Sequence, residues 1–365
     1  MFHFRAFASS TAKYAEVFMN PQPHIYYFST ETLPTLAEVG GKGLSLIRMS
    51  HEGFQVPPGF VLTAKFFQPW FEQLYQSGLW TAVLNSEPNS RKAACDKAKA
   101  AALAYDFTDK QCDVLSAASQ ALIQTGVNLF AVRSSSPEED LESASFAGGY
   151  ETSLGVTPDM LQDAIRHSFA SVLDERIFVY KQERGFDVVR PRIAVVVQAQ
   201  IASETAGVAF SLNPLNNCYD EVVINANAGL GESVVSGAVT PDTYVVDRVR
   251  EMILSKEIGR KEMAVFLQPG GGTFEQQEID TAQPCLSDQE ALEIAKLTGA
   301  VEAAYGQPID IEWAYANGQL YLLQARPITA YFPVPEIMVT KPGEPKILYA
   351  DKTLLKQGIN EPLSV

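Results

Sequence analysis

Cysteine is scarce in this sequence and forms no recognisable metal or disulfide motif. The four cysteines, Cys95, Cys112, Cys218 and Cys285, lie far apart and include no C-x-x-C pair. A disulfide framework or a zinc knuckle is therefore not indicated, and a reducing compartment fits best.

Long apolar segments are also missing. No run approaches the roughly 18–20 residues that are needed to span a bilayer. Residues 1–20 mix charged, aromatic and small side chains, whereas a secretory signal has a continuous apolar centre. We therefore expect a cytoplasmic protein with no membrane partner.

Basic residues are outnumbered by acidic ones. The chain has 28 Lys and Arg against 43 Asp and Glu, which gives a formal net charge of −15. Such a surface repels nucleic acid, so we expect no nucleic-acid partner, although a few cations in a cleft can still bind a small anion. A length of 365 residues with 46% hydrophobic residues is enough for a sizeable core in two lobes.

A glycine-rich segment around Lys42 is the first candidate site. Gly40 to Gly43 reads as a tight loop before a helix over residues 44–49, where backbone amides and a lysine could bind phosphate. The segment is not a P-loop, because Gly43 follows the lysine where that motif requires Ser or Thr. A plain glycine turn with a solvated lysine is the alternative.

Arg133 follows a predicted buried strand over residues 129–132, a position where α/β sheets commonly bind ligands. An arginine there can make bidentate bonds to phosphate. The small-residue loop that follows contains Gly148, which would let backbone amides approach a ligand, and it ends near the hydroxyl of Thr152. The alternative is an ordinary polar surface loop.

A β-hairpin is predicted over residues 309–326, with Asn317 and Gly318 at the turn. A two-residue loop would put Glu312 and Gln324 on opposite faces. A three-residue loop would instead pair Asp310 with Gln324 and Glu312 with Leu322.

The three-residue loop separates polar from apolar side chains much better, so it is the predicted register. One face then carries the polar set Asp310, Glu312, Gln324 and Arg326. The other face carries the core-filling set Ile311, Trp313, Tyr321 and Leu323.

The polar face of this hairpin offers hard oxygen ligands beside an arginine. Magnesium prefers carboxylate and carbonyl oxygens and usually bridges to phosphates. The sequence therefore predicts a magnesium site at Glu312 and Gln324, against the alternative of a half-exposed hairpin with a surface salt bridge.

Further elements are predicted from periodicity and from capping signals. They are helices over residues 90–105, from Pro158, and from the capping box at Ser287 and Glu290 to about Tyr305, and strands over residues 193–197, 207–212, 221–224 and 244–246. The texture changes after Gln200, which suggests an N-terminal lobe at residues 1–203 and a C-terminal lobe at 204–330. Residues 331–365, which begin with several prolines, are predicted to be a linker toward a missing domain.

The segments together resemble the nucleotide-binding domain of the family of phosphoenolpyruvate synthase, pyruvate phosphate dikinase and rifampicin phosphotransferase. The resemblance covers roughly residues 30–329, and its pieces come in the family's order. Those pieces are the segments 40–43, 56–60, 133–135, 145–152, 195–198, 229–232, 241–242 and 310–327.

The resemblance implies an α+β, ATP-grasp-like fold with two lobes and ATP in the cleft between them. Phosphates would be bound by Lys42, Arg133, Gly148, Thr152 and Arg326, of which Lys42, Arg133 and Arg326 would be catalytic. It also implies that Gln198 lies at the adenine end, and that Glu312 and Gln324 hold Mg²⁺. Glu232 and Asp242 match segments of the family, but no chemical role is assigned to them.

Two departures from the family pattern matter. Gly149 stands where the family usually has glutamine, which puts one loop contact in doubt. The family passes phosphate through a histidine on a separate mobile carrier domain to an acceptor-substrate domain, and none of the four histidines here, His3, His24, His51 and His167, has that histidine's glycine- and threonine-rich context.

The leading hypothesis is therefore the ATP-binding domain of a dikinase-type, ATP-dependent phosphotransferase, incomplete by itself, which donates a phosphoryl group to a histidine elsewhere. One alternative is an ATP-grasp ligase that forms an acyl phosphate and releases ADP. The other is a non-catalytic nucleotide-binding module.

Overall fold

The computed structural model describes residues 24–138, 140–141, 144–145, 151–277, 282–329 and 331. The α-helices are, in chain order, α1 (Leu36–His51), α2 (Gln68–Gln76), α3 (Leu79–Leu84), α4 (Pro88–Leu103), α5 (Asp109–Ile123), α6 (Leu161–Ala170), α7 (Glu175–Glu183), α8 (Glu232–Val235) and α9 (Asp288–Tyr305). Short 3₁₀ helices occupy Pro158–Met160 and Ser171–Leu173. Within the described ranges, no helix has the length and apolar content to cross a membrane.

The strands alternate with these helices in the first half of the chain and dominate the second half. They are β1 (Ile25–Tyr27), β2 (Gly59–Leu62), β3 (Phe130–Ser135), β4 (Asp140–Leu141), β5 (Ala144–Ser145), β6 (Thr152–Val156), β7 (Ala194–Ala199), β8 (Thr205–Phe210), β9 (Glu221–Ala228), β10 (Asp242–Asp247), β11 (Met252–Glu257), β12 (Ala264–Leu267), β13 (Thr273–Gln276), β14 (Ile309–Ala316) and β15 (Gln319–Pro327).

Local signals in the sequence set several of these boundaries. The predicted capping box of α9 is present, because Glu290 donates its backbone N–H to Ser287 Oγ at 3.3 Å and accepts from the Ser287 N–H at 2.7 Å. Pro88 occupies the first turn of α4, where the missing N–H of proline costs nothing. The predicted elements therefore exist, most with ends within four residues of the predicted ones, whereas the helix predicted from residue 44 begins at Leu36.

A five-stranded sheet in the order β1-β2-β7-β3-β6 forms the N-terminal half. Its strand β7 is buried along its whole length. The helices α2 to α7 cover one face with an aromatic core in which Phe67 stacks on Phe169 and Trp70 meets Phe169 edge-on. This half therefore owes its stability to apolar burial around three large rings.

A six-stranded sheet in the order β11-β10-β9-β8-β14-β15 forms the C-terminal half, and α9 packs on one of its faces. The chain passes from the first sheet to the second between Ala199 and Thr205. Helices together with two larger sheets confirm the predicted α+β class.

Helix α1 joins the two sheets. Its buried side chains Leu46 and Ile47 share one apolar cluster with Val196 of β7 and Trp313 of β14. On the same helix, Ser45 Oγ donates to the Ala325 carbonyl at 2.7 Å. The position of β15 is therefore fixed from the N-terminal half.

The segment Gly40 to Gly43 is a kink inside α1 and not the predicted tight loop before the helix. Gly40 has φ +69°, and a Cβ there would lie 2.4 Å from the Ser135 carbonyl oxygen, so only glycine fits. The Gly41 N–H donates to Ser136 O at 3.1 Å, and the Gly43 N–H donates to Ser135 Oγ at 3.0 Å. These two amides are bonded within the protein, which corrects the prediction that the glycine amides bind phosphate.

The hairpin β12–β13 reaches from the C-terminal half to the edge of the N-terminal sheet. At its tip, the Gly272 N–H donates to Gly155 O of β6 at 2.7 Å. Gly155 has φ +65°, and a Cβ there would lie 2.6 Å from the Gly272 carbonyl oxygen. This contact requires glycine for both conformation and space.

We expect Gly155→Ala to lower the free energy of unfolding by about 2–4 kcal/mol, because strain at positive φ adds to a backbone clash. Gly185→Ala is the matched control, since Gly185 has φ +72° with nothing within 4 Å of the added Cβ. The control should cost only about 1 kcal/mol in urea unfolding. Equal losses in the two variants would show that the Gly155–Gly272 contact contributes nothing.

Candidate functional site

A cavity of about 560 Å³ lies between the two sheets, a volume typical of small-molecule sites. Strands of both halves and the connection between them form its walls. The predicted site residues that line it are Lys42, Arg133, Thr152, Gln198, Glu312, Gln324 and Arg326. Gly148 and Gly149 lie outside the described residues.

Two cations enter the cavity from the N-terminal half. Lys42 projects from α1, is 9% exposed, and donates its ammonium to Ser134 O at 3.3 Å. Arg133 lies on β3, and its Nη1 donates to the Leu323 carbonyl of β15 at 3.4 Å. The buried Nε of Arg133 donates to no group among the described residues, so it keeps hydrogen-bonding capacity for a ligand.

The hairpin β14–β15 has a two-residue loop, which corrects the predicted three-residue loop. Ala316 pairs with Gln319 across Asn317 and Gly318, whose φ values of 53° and 70° are those of a type I′ turn. A bulge shifts the register between Glu312 and Trp313, so that Glu312 pairs with Gln324 and not with the predicted Leu322.

That bulge puts the two predicted metal ligands on one side of the hairpin despite the short loop, because one extra residue reverses the alternation of faces. Asp310 pairs with Arg326, not with the predicted Gln324. The bulge also changes the core side of β15, which is filled by Leu320, Leu322 and Ala325 in place of the predicted Tyr321 and Leu323. Leu323 lines the cavity instead.

Glu312 is held by a cationic environment. Its Oε2 accepts from Arg133 Nη2 at 2.7 Å, and the two side chains are 15% and 13% exposed. Burial alone would raise the pKa of Glu312, but the charge and hydrogen bond of Arg133 and the charges of Arg326 and Lys42 outweigh it, and the pKa is lowered. The carboxylate is therefore ionised at neutral pH.

Gln324 is the second oxygen donor on this face. It is 3% exposed, and its Oε1 accepts no hydrogen bond from the part of the chain that the structure describes. A buried acceptor without a donor is costly, which makes it suited to bind a cation or a donor of a ligand. Next to it, Arg326 Nε donates to both oxygens of Asp310 at 2.8 and 2.9 Å.

The opposite end of the cavity is lined by the connection between the two sheets. Gln198 lies near the end of β7, and its Nε2 donates to Pro57 O at 3.3 Å. Gln200 and Ser203, which the sequence reasoning missed, also line the cavity. The local signal at this point is the change to closely spaced strand-like segments after Gln200, which predicts a lobe boundary but not a ligand contact.

The histidines stand apart from this site. His24, His51 and His167 are absent from the cavity lining, and His3 lies outside the described residues. Among the described residues, no cluster of three or more His, Cys, Asp or Glu side chains could hold a metal ion. A metal in the cavity would therefore depend on an amide oxygen and on ligand oxygens besides Glu312.

Comparison with known proteins gives a family match over most of the chain. Residues 36–336 match the family described as "Pyruvate phosphate dikinase, AMP/ATP-binding domain". A solved D-alanine–D-alanine ligase from Bacillus anthracis complexed with ATP aligns at a TM-score of 0.28 and 11% identity, covering 78% of this chain and 54% of that one. A TM-score of 0.28 does not establish a shared fold.

Curated relatives agree with the family match. This chain is 36% identical over 302 residues to the probable phosphoenolpyruvate synthase of Methanocaldococcus jannaschii, covering 80% of this chain and 25% of that one. It is 35% identical to the phosphoenolpyruvate synthase of Pyrococcus furiosus, with 80% and 42% covered. It is also 36% identical to the rifampicin phosphotransferase of Bacillus subtilis, with 82% and 35% covered. The chain thus spans less than half the length of these relatives.

We expect Arg133→Leu to lower the free energy of unfolding by about 1–3 kcal/mol at about pH 7, between the values for exposed and fully buried ion pairs. A lowered pKa means that the stabilisation by Glu312 is fully present above its unfolded value and is lost as the pH falls through the folded value. The difference between the two proteins should therefore shrink at about pH 4.

Lys92→Ala is the control for this experiment, because Lys92 and Asp96 form an exposed pair on one helix. It should cost at most about 0.5 kcal/mol. A loss in Arg133→Leu that stays constant across this pH range would contradict the ionised Glu312.

Proposed function

We propose, since this chain belongs to the pyruvate phosphate dikinase AMP/ATP-binding domain family, that its cavity binds ATP together with Mg²⁺ as the nucleotide site of a phosphotransferase. One observation carries the proposal: seven side chains from four separate parts of the sequence line a single cavity. The set combines cations, a carboxylate and amide oxygens, which suits a magnesium-bound polyphosphate.

The two ends of the cavity suit the two ends of a nucleotide. Lys42, Arg133 and Arg326 concentrate positive charge at one end, where they would neutralise phosphate oxygens. At the other end, Gln198 offers an amide and Ile201 an apolar surface for the base. Thr152 would add a hydroxyl near the phosphates, and Gly148 is proposed at the same loop on the strength of the family resemblance.

Glu312 and Gln324 fit a magnesium ion. Both side chains offer oxygen ligands, at paired positions of hairpin β14–β15. Gln324 Oε1 is buried and accepts no hydrogen bond from the described residues. When bound, Mg²⁺ supplies charge neutralisation at the phosphate oxygens. Arg133 keeps Glu312 ionised and oriented toward that position.

The full activity is proposed to need more chain than is present here. We assign residues 1–203 and 204–330 to the two lobes and residues 331–365 to a linker toward further domains. The β-phosphoryl group of ATP would pass to a histidine on a carrier domain, with release of AMP and of the γ-phosphate as inorganic phosphate, and then to an acceptor at a third domain. The short coverage of the relatives supports this division, because each relative is more than twice as long as the matched region.

Glu312→Ala should weaken magnesium-dependent binding of a non-hydrolysable ATP analogue by about tenfold or more in calorimetric titration, because the variant loses the charged metal ligand. Glu302 of α9 is unsuitable as a control, because it pairs with Arg248 and accepts from Ser211 Oγ at 2.9 Å. The better control is Glu257→Ala, on the exposed edge strand β11.

The control variant should bind as the wild type does. If the wild type shows neither binding heat nor thermal stabilisation at millimolar nucleotide, the proposed function is wrong, since a bound ligand must raise the apparent stability.

The isolated chain should bind ATP yet release AMP only at a trace rate, because no histidine of the described residues lines the cavity to accept the phosphoryl group. The experiment incubates the chain with β-labelled ATP, alone and with a carrier domain taken from a relative. AMP and labelled phosphohistidine should form only in the second sample. Label on any residue of this chain, or brisk ADP release by the chain alone, would favour a different reaction.

A further inference from the structure

Helix α8 presents two side chains to the cavity that the proposed function leaves without a role. Glu232 and Val235 both line the cavity wall. They are three residues apart, so they lie on the same side of the helix. Both are exposed, Val235 to 49%, which is unusual for a large apolar side chain inside a cleft.

The helix is held firmly in place. Gly229 has φ +75°, and a Cβ there would lie 2.2 Å from Val265 O, so the turn before α8 packs closely on β12. Leu230 donates its N–H to Val265 O at 2.7 Å. The buried Asn227 donates to Ser233 Oγ at 2.9 Å, which fixes the residue next to Glu232. The backbone that carries the Glu232 side chain is therefore held in a fixed position.

Charge decides which part of a nucleotide Glu232 can face. No hydrogen bond or ion pair joins its carboxylate to another described residue, in contrast to Glu312 with its Arg133 partner. An ionised carboxylate accepts hydrogen bonds only and repels phosphate. It therefore suits the hydroxyl donors of a ribose.

Position along β8 agrees with this reasoning. Ser203 lies before the strand, in the connection at the proposed base end, and Val208 pairs with Glu312 at the proposed metal end. Between them, a Cβ on Gly231 would lie 3.6 Å from Ala206 Cβ. The start of α8 therefore faces the middle of the cavity, and the ribose is the middle part of a nucleoside triphosphate.

We propose that α8 recognises the nucleoside, with Glu232 accepting hydrogen bonds from the ribose hydroxyls and Val235 packing on the sugar and base. The proposal rests on the proposed function of the cavity. It makes Glu232 a specificity-determining residue that selects ribonucleotides over deoxyribonucleotides. Val235 contributes apolar contact without selecting between them.

The test compares equilibrium binding of ATP, 2′-deoxyATP and 3′-deoxyATP, each with magnesium. The wild type should bind ATP about tenfold or more tightly than at least one deoxy analogue, since hydrogen bonds to a charged group are strong. Glu232→Ala should bind all three nucleotides alike, near the wild-type affinity for the weaker deoxy analogue. Glu232→Gln keeps one acceptor oxygen and should retain part of the preference.

Two further variants separate this role from others. Val235→Ala should weaken ATP and its deoxy analogues by the same factor and leave the preference unchanged. Glu275→Ala, on the exposed part of β13, should change nothing. Thermal unfolding of each variant shows that it is folded.

An unchanged preference in folded Glu232→Ala or Glu232→Gln overturns the proposal. A loss of discrimination between ATP and ITP, with the preference for ribose intact, would assign Glu232 to the base and also overturn it. If the wild type binds none of the nucleotides, the proposed function itself fails. Binding of ATP without any ribose preference refutes only the role of α8.

Discussion

The ion pair between Arg133 and Glu312 joins the N-terminal sheet to the C-terminal hairpin across the cavity, at 2.7 Å. Arg133 also donates to the Leu323 carbonyl next to the bulge, so one guanidinium contacts both strands of the hairpin. The bulge in turn places Gln324 beside Glu312. The arrangement of oxygen donors therefore depends on an arginine that is 179 residues away in sequence.

This pairing has a consequence for ligand binding. A carboxylate buried without a cation would tend to take up a proton, and the protonated group would be a poor metal ligand. Arg133, Arg326 and Lys42 keep Glu312 ionised by their charge. The hydrogen bond from Arg133 Nη2 is accepted by Oε2 of Glu312 and not by its other carboxylate oxygen. The Glu312 carboxylate is thus held ionised and in place by the protein itself, which lowers the reorganisation needed to bind a cation.

Sequence reasoning located most of the cavity, because glycine, arginine and carboxylate patterns reflect local chemistry. It found the capping box of α9 and the strand at Arg133, both of which depend on a few neighbouring residues, but it ended that strand at residue 132, whereas β3 continues through Arg133 to Ser135. It failed at the hairpin loop, since a bulge is set by packing on both sheet faces and leaves no signal in the local alternation.

Long-range contacts account for the other errors. The amides of Gly41 and Gly43 looked free for phosphate, but the chain after β3 folds back and accepts from them. Gln200 and Ser203 carry no motif, and only the fold brings them to the cavity.

The most direct measurement is a crystal structure of the chain with Mn²⁺ and a non-hydrolysable ATP analogue, with the metal located by its anomalous scattering. We expect one metal bound by an oxygen of Glu312 and by Gln324 Oε1, at about 2.1 Å, with phosphates toward Lys42 and Arg133. A metal bound away from this hairpin, or a nucleotide outside the cavity between the sheets, would contradict it.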